Sequence, residues 1–173
     1  MPRFRTIIAS AAAALALATA APALAVGTVT MANGGQNFTA SGPSAYWHYD
    51  QGQGYCGHYA TWCSPANAQW TYVNHAYGDV NSATWRNPYA VSAPEFASAF
   101  IPARNATATA HYTLRYNYGS YWSRDVDQRP FYDQWVRINA TGLAMLDTVM
   151  LGDQSWYGTA SDKVAFDEIK IEN

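Results

Sequence analysis

Lysine is almost missing from this chain of 173 residues: Lys163 and Lys170 are the only two, and no stretch gathers basic residues. A nucleic-acid surface needs such clusters to neutralise phosphates, so that class of partner is excluded. Cysteine is equally scarce. Cys56 and Cys63 stand alone, at a spacing that fits no zinc pattern, and no His-x3-His accompanies them. The four histidines, His48, His58, His75 and His111, are scattered and read as surface or loop residues. There is no Gly-x-Ser-x-Gly elbow and no phosphate-binding loop. Helix patterns are nearly absent, and after the first 25 residues no apolar run is long enough to cross a bilayer.

What is present begins with a leader. Arg3 and Arg5 precede an Ala-rich apolar stretch from Ile7 to Ala20, and Ala23-Leu24-Ala25 forms a small-x-small cleavage site. Residues 1–25 therefore read as a signal peptide and 26–173 as one secreted, extracellular domain without a membrane anchor. Without Arg3 and Arg5, eight basic residues face twelve acidic ones, a formal charge of −4. In an exported chain an isolated, closely spaced pair such as Cys56 and Cys63 reads as a disulfide. Closing so short a loop is worth about 2.5 kcal/mol by chain entropy.

Period-two alternation dominates the remainder. Ala108, Ala110, Tyr112 and Leu114 alternate with Thr109, His111, Thr113 and Arg115, which predicts a strand with one buried face. Strands are predicted at 27–31, 44–48, 68–73, 95–101, 108–117, 122–127, 134–138, 148–151 and 163–172. Turn residues recur about every ten positions, as in a sandwich or barrel. If the strands from Glu95 onward run antiparallel, their loops gather at two opposite ends. One end carries Tyr89 and Tyr121, with Trp85 nearby; the other carries Phe131, Tyr132, Trp156 and Tyr157.

Seven Trp, thirteen Tyr and six Phe make aromatics 15% of the chain, enough to supply both a core and a stacking surface. Trp47, Trp70, Trp122 and Trp135 lie in or beside predicted strands and read mainly as packing. Trp85 and Trp156 fall in polar loops, where flat rings can stack on the apolar face of a sugar while amides and hydroxyls bond its hydroxyl groups. The candidate binding residues are thus Trp156, Tyr157, Phe131 and Tyr132, ahead of Trp85, Tyr89 and Tyr121. Asp125 and Asp127 project from one strand face about 7 Å apart. The nearby Arg124, Arg129 and Arg137 make ion pairing the better reading than a catalytic pair. Asp167 shares a face with Ala165, Ile169 and Ile171. Its carboxylate should be buried, and so be hydrogen-bonded, ion-paired or bound to a structural Ca²⁺.

The ordered series Phe100-Ile-Pro, Ala108-x-Ala110-x-Tyr112, Val126-Asp127-Gln128, Trp135-Val136 and Val164-Ala-Phe-Asp167-Glu-Ile169 resembles the golvesin/xanthan-lyase C-terminal domain family. The resemblance runs from about Phe38 to Glu172. It implies an all-β jelly-roll β-sandwich, galactose-binding-like, that is carbohydrate-binding and has no catalysis of its own. The last strand also resembles the closing strand of calcium-binding carbohydrate-binding jelly rolls. This chain departs from the family by carrying the domain without an attached enzyme and by adding the Cys56–Cys63 loop. The expectation is a non-enzymatic module for a polysaccharide or cell-wall glycan, needing no cofactor beyond a structural calcium. Its rivals are a secreted protein-binding or matrix protein, and a small hydrolase or lyase built on Asp125/Asp127 or His58.

Overall fold

The computed structural model describes residues 27–60 and 67–173. The leader and Cys63 lie outside the described residues. In chain order the elements are β1 (Val29–Met31), β2 (Phe38–Ser41), β3 (His48–Gln51), α1 (Gly54–His58), β4 (Asn67–Tyr72), β5 (Ser82–Arg86), β6 (Pro94–Ile101), β7 (Thr109–Tyr116), β8 (Ser120–Asp127), β9 (Gln134–Arg137), β10 (Leu143–Ala144), β11 (Thr148–Gly152), β12 (Lys163–Phe166) and β13 (Ile169–Glu172).

These strands pair antiparallel in three sheets. One five-stranded sheet runs β2-β5-β11-β7-β8. A second runs β1-β13-β6, with β9 and β10 sharing the far edge of β6. A third, small sheet is β12-β4-β3. The protein is a single all-β domain of the jelly-roll sandwich type. Alternation explains the core: Ala110, Tyr112 and Leu114 of β7 turn inward with Ala83 and Trp85 of β5 and Val149 and Leu151 of β11. They meet Ala97, Ala99 and Ile101 of β6 and Ile169 and Ile171 of β13 in one cluster. Each large aliphatic side chain fully buried there contributes about 1.5–3 kcal/mol.

The hairpin between β7 and β8 closes through Asn117 and Tyr118, both at positive φ, with the Gly119 N–H donating to the Tyr116 carbonyl at 3.1 Å. Positive φ at both central positions matches the right-handed twist of the flanking strands. The loops gather at two ends as the alternation predicts. At one end the Asn117 N–H reaches the carbonyl of Ala144 and the Met145 N–H that of Val91. Buried Glu95 ties this end together by accepting from Asn87 Nδ2, the Val91 N–H and the Leu146 N–H.

Several expectations are corrected. Residues 44–48 do not form a strand; Ser44–Tyr46 is a 3-10 turn and the strand begins at His48. The expected strand over 163–172 is two strands in different sheets, broken at Asp167-Glu168. β2, β5, β10 and α1 arise where irregular chain was expected. Trp85 is the largest correction: it lies on β5 at 0% exposure, packed on Phe38 at 5.3 Å. Ala83 and Trp85 alternate inward on a five-residue strand zipped between β2 and β11, so Trp85 belongs to the core and presents nothing to a ligand.

Candidate functional site

On β7 the residues that enter the core alternate with residues that face outward. On the β2-β5-β11-β7-β8 sheet most of the outward residues that line the groove are small or polar. Thr84 of β5, Met150 of β11 and Thr113 of β7 stand in one cross-strand row. Beside it, Ser82 pairs with Gly152, and His111 pairs with Asp125 of β8. These positions floor a groove of about 380 Å³, walled at one end by Trp156 and Tyr157. Gly152 is needed for the wall: a Cβ there would overlap the Asp79 carboxylate, which packs over it.

Trp156 and Tyr157 are 68% and 55% exposed, yet their segment is stapled down. The buried Ser155 hydroxyl donates to the Thr109 carbonyl at 2.8 Å and accepts the Tyr157 N–H at 3.2 Å. The Ser155 N–H donates to the Asn74 carbonyl, and His75 Nδ1 bonds the Ser155 carbonyl at 2.8 Å. Asp153 is buried beneath and accepts the N–H groups of Val80 and Asn81. Burial raises its pKa against those two bonds, and the neighbouring Asp79 charge adds to the rise. The backbone that carries the aromatic pair is therefore fixed before any ligand arrives, which lowers the ordering cost of binding.

Charge on this face is mostly tied up. His111 Nδ1 lies 2.6 Å from Asp125 Oδ1. Arg129 forks onto Asp127, whose carboxyl is thereby held below the usual carboxylate range. Asp127 is ill suited to acid catalysis, and the two carboxylates have different partners, as an ion-pair reading of this strand requires. Arg115 is engaged in a forked pair with Asp147.

The other candidate residues lie elsewhere. Phe131 is half-buried against the core and Tyr132 is exposed on the same turn, and neither lines the groove. Tyr89 is exposed in the loops of the opposite end. Tyr121 pairs with Arg115 and so shares the outward face of β8, about 14 Å along the strand from Asp125. Thr109, His111 and Thr113 were legible as outward residues; Asp79 and the β5 hydroxyls were not, because only the pairing of β5 with β11 brings them to this face.

Asp167 is buried as expected, at 3% exposure, but not through strand alternation: β12 ends at Phe166, and Glu168, which alternation would turn outward, is fully buried beside it. Gly54 explains the fit: it has φ +80°, and a Cβ there would strike the Asp167 carboxylate. The start of α1 thus packs directly on Asp167. Burial raises both pKa values, Asp167 well above the carboxylate range, with its neighbour's charge adding to the effect. Asp167 Oδ2 and both Glu168 oxygens lack a hydrogen bond, as does Oδ1 of Asn33, whose amide holds the Asn67 and Phe166 carbonyls. No group of three or more His, Cys, Asp or Glu forms a metal cluster among the described residues. Two carboxylates with amide oxygens on adjoining chain do suit a hard, oxygen-seeking cation such as Ca²⁺.

No family model matches the chain, and no curated protein matches its sequence. Solved structures do share its fold. A xanthan lyase from Paenibacillus aligns with TM-score 0.61 at 14% identity over 85% of this chain, which corresponds to 13% of the lyase. The chain thus spans about one eighth of that protein. Family 35 carbohydrate-binding modules from Cellvibrio japonicus and Clostridium thermocellum align more loosely, at TM-scores of 0.47 and 0.46. Their identities are 11% and 13%; each alignment covers 84% of this chain, and 93% and 98% of the modules.

Proposed function

We propose that this chain is a secreted, non-catalytic module that binds a polysaccharide or cell-wall glycan in the groove beneath Trp156 and Tyr157. The observation that carries the reading is an exposed but firmly anchored aromatic pair beside a floor of Thr and Ser hydroxyls. Such a surface offers a sugar both of its needs, a flat apolar face and convergent hydrogen-bonding groups. The shared fold with part of a xanthan lyase supports the resemblance to the golvesin/xanthan-lyase C-terminal family. In this reading residues 1–25 are removed on export and Cys56 pairs with Cys63. Asp167, Glu168 and neighbouring amide oxygens hold a structural calcium, which neutralises the buried acid pair and takes no part in binding.

A glycan array on the purified protein, followed by calorimetry with the best ligand, tests the function. Trp156→Ala should lose about ten- to a hundredfold in affinity, the usual range for truncating an aromatic anchor, at an unchanged melting temperature. Wild-type affinity in that variant rejects the groove. Retention of a protein partner with no glycan bound would favour the matrix-protein alternative. Intact mass with and without reductant tests the disulfide, and two free thiols would refute it.

A further inference from the structure

Among the described residues the groove is lined by two acids and one basic side chain, His111, which sits 2.6 Å from Asp125. Asp79 and Asp125 line it, and no lysine or arginine among the described residues does. Each carboxylate keeps capacity for a ligand. Asp79 accepts the Gln154 N–H through Oδ1 at 2.9 Å, and Asp125 meets His111 through Oδ1. Neither Oδ2 takes part in a hydrogen bond among the described residues. The two acids also stand apart. Asp79 packs on Gly152 of β11, Leu151 of β11 pairs with Tyr112 of β7, and His111 of β7 pairs with Asp125 of β8. Two strand spacings separate them, about 10 Å, a distance that an oligosaccharide bridges and a monosaccharide does not. Trp156 adds an exposed ring face that attracts cations as well as sugar C–H groups.

We infer that the groove selects a glycan of amino sugars bearing free ammonium groups, such as a glucosamine oligomer, and rejects uronate-bearing or sulfated chains. The inference rests on the glycan-binding reading and adds the class of sugar. Threonine and serine hydroxyls take the sugar hydroxyls, Trp156 and Tyr157 take the ring face, and Asp79 and Asp125 each take one ammonium.

The test compares hexamers of glucosamine, N-acetylglucosamine, glucose and galacturonate by calorimetry on the purified protein, with hexalysine as a charge control. The glucosamine hexamer should bind about tenfold more tightly than the neutral hexamers, from about threefold per exposed ion pair, and salt should shrink the preference. Asp79→Asn and Asp125→Asn should each cut the preference for the glucosamine hexamer over the N-acetylated hexamer by about threefold. Equal or tighter binding of a neutral or galacturonate hexamer overturns the charge preference and leaves the glycan reading standing. Hexalysine binding as tightly as glucosamine, with Trp156→Ala without effect, reduces the groove to plain charge attraction and overturns the inference. No binding by any hexamer overturns both.

Discussion

Trp85 follows Asn81-Ser-Ala-Thr and Trp156 follows Asp153-Gln-Ser, so both stand in polar stretches with no extended strand pattern. The first is 0% exposed and the second 68%. What separates them is the partner of each backbone. Residues 82–86 find strands on both sides, and two-sided pairing turns Ala83 and Trp85 into the sandwich. Residues 153–157 bond through Asp153, Ser155 and Tyr157 to loops and to the end of β7, and those bonds turn Trp156 outward. A tryptophan in polar surroundings is thus committed to core or surface by its backbone's hydrogen bonds.

The sharpest way to break that comparison is to truncate both rings. Trp85→Ala should cost about 3–5 kcal/mol in denaturant unfolding, the usual range for emptying a core tryptophan site. A loss under about 1 kcal/mol would place the ring outside a packed core.

The buried acids extend the comparison from apolar rings to charge. Asp167 and Glu168 bind protons more tightly in the folded protein than in the unfolded chain. The pair's contribution to the stability of chelator-treated protein is therefore greatest below the usual carboxylate range and falls as pH rises through the raised folded values. The slope is up to about 1.4 kcal/mol per pH unit for each proton released. Asp167→Asn should flatten that fall and weaken the rise in melting temperature on adding Ca²⁺. Stability that climbs with pH over this window after chelation would refute the buried-acid account.

A smaller effect is expected at Ser155. Ser155→Ala strips the bonds to Thr109 and Tyr157 and should cost about 1–2 kcal/mol, with weaker glycan binding although no stacking group is lost. Unchanged affinity would show that the aromatic wall holds its place without this staple. The smallest stability change is expected for Trp156→Ala, within about 0.5 kcal/mol, because its ring lies outside the core. A larger drop would move Trp156 to the same side of the comparison as Trp85.

Much of the sandwich was legible. β6, β7, β8, β9 and β11 lie where strands were expected, and in β7 the two-residue repeat assigns the faces because one side is buried. Asp167 is buried as expected, but the continuous strand behind that expectation is broken there. β2 and β5 escaped because Thr39, Ser41, Ser82 and Thr84 mask a short inward row, and short strands owe their existence to neighbours rather than to propensity. Of the candidate site, Trp156, Tyr157 and the outward face of β7 were legible, whereas Phe131, Tyr132, Tyr89 and Trp85 took their places from packing that no local pattern encodes.

The chain's own pattern determined that this is an all-β domain and that β7 has one wet face. Those outcomes are local: each depends on where a side chain points relative to its nearest neighbours in sequence. Only the tertiary structure decided that Trp85 is core, that β12 and β13 part company at Asp167-Glu168, and that Asp79, His111, Asp125 and Trp156 share one groove. Those residues lie far apart in the chain. Backbone pairing across β5, β11, β7 and β8 brings them together, driven by apolar burial on the opposite face of the same sheet.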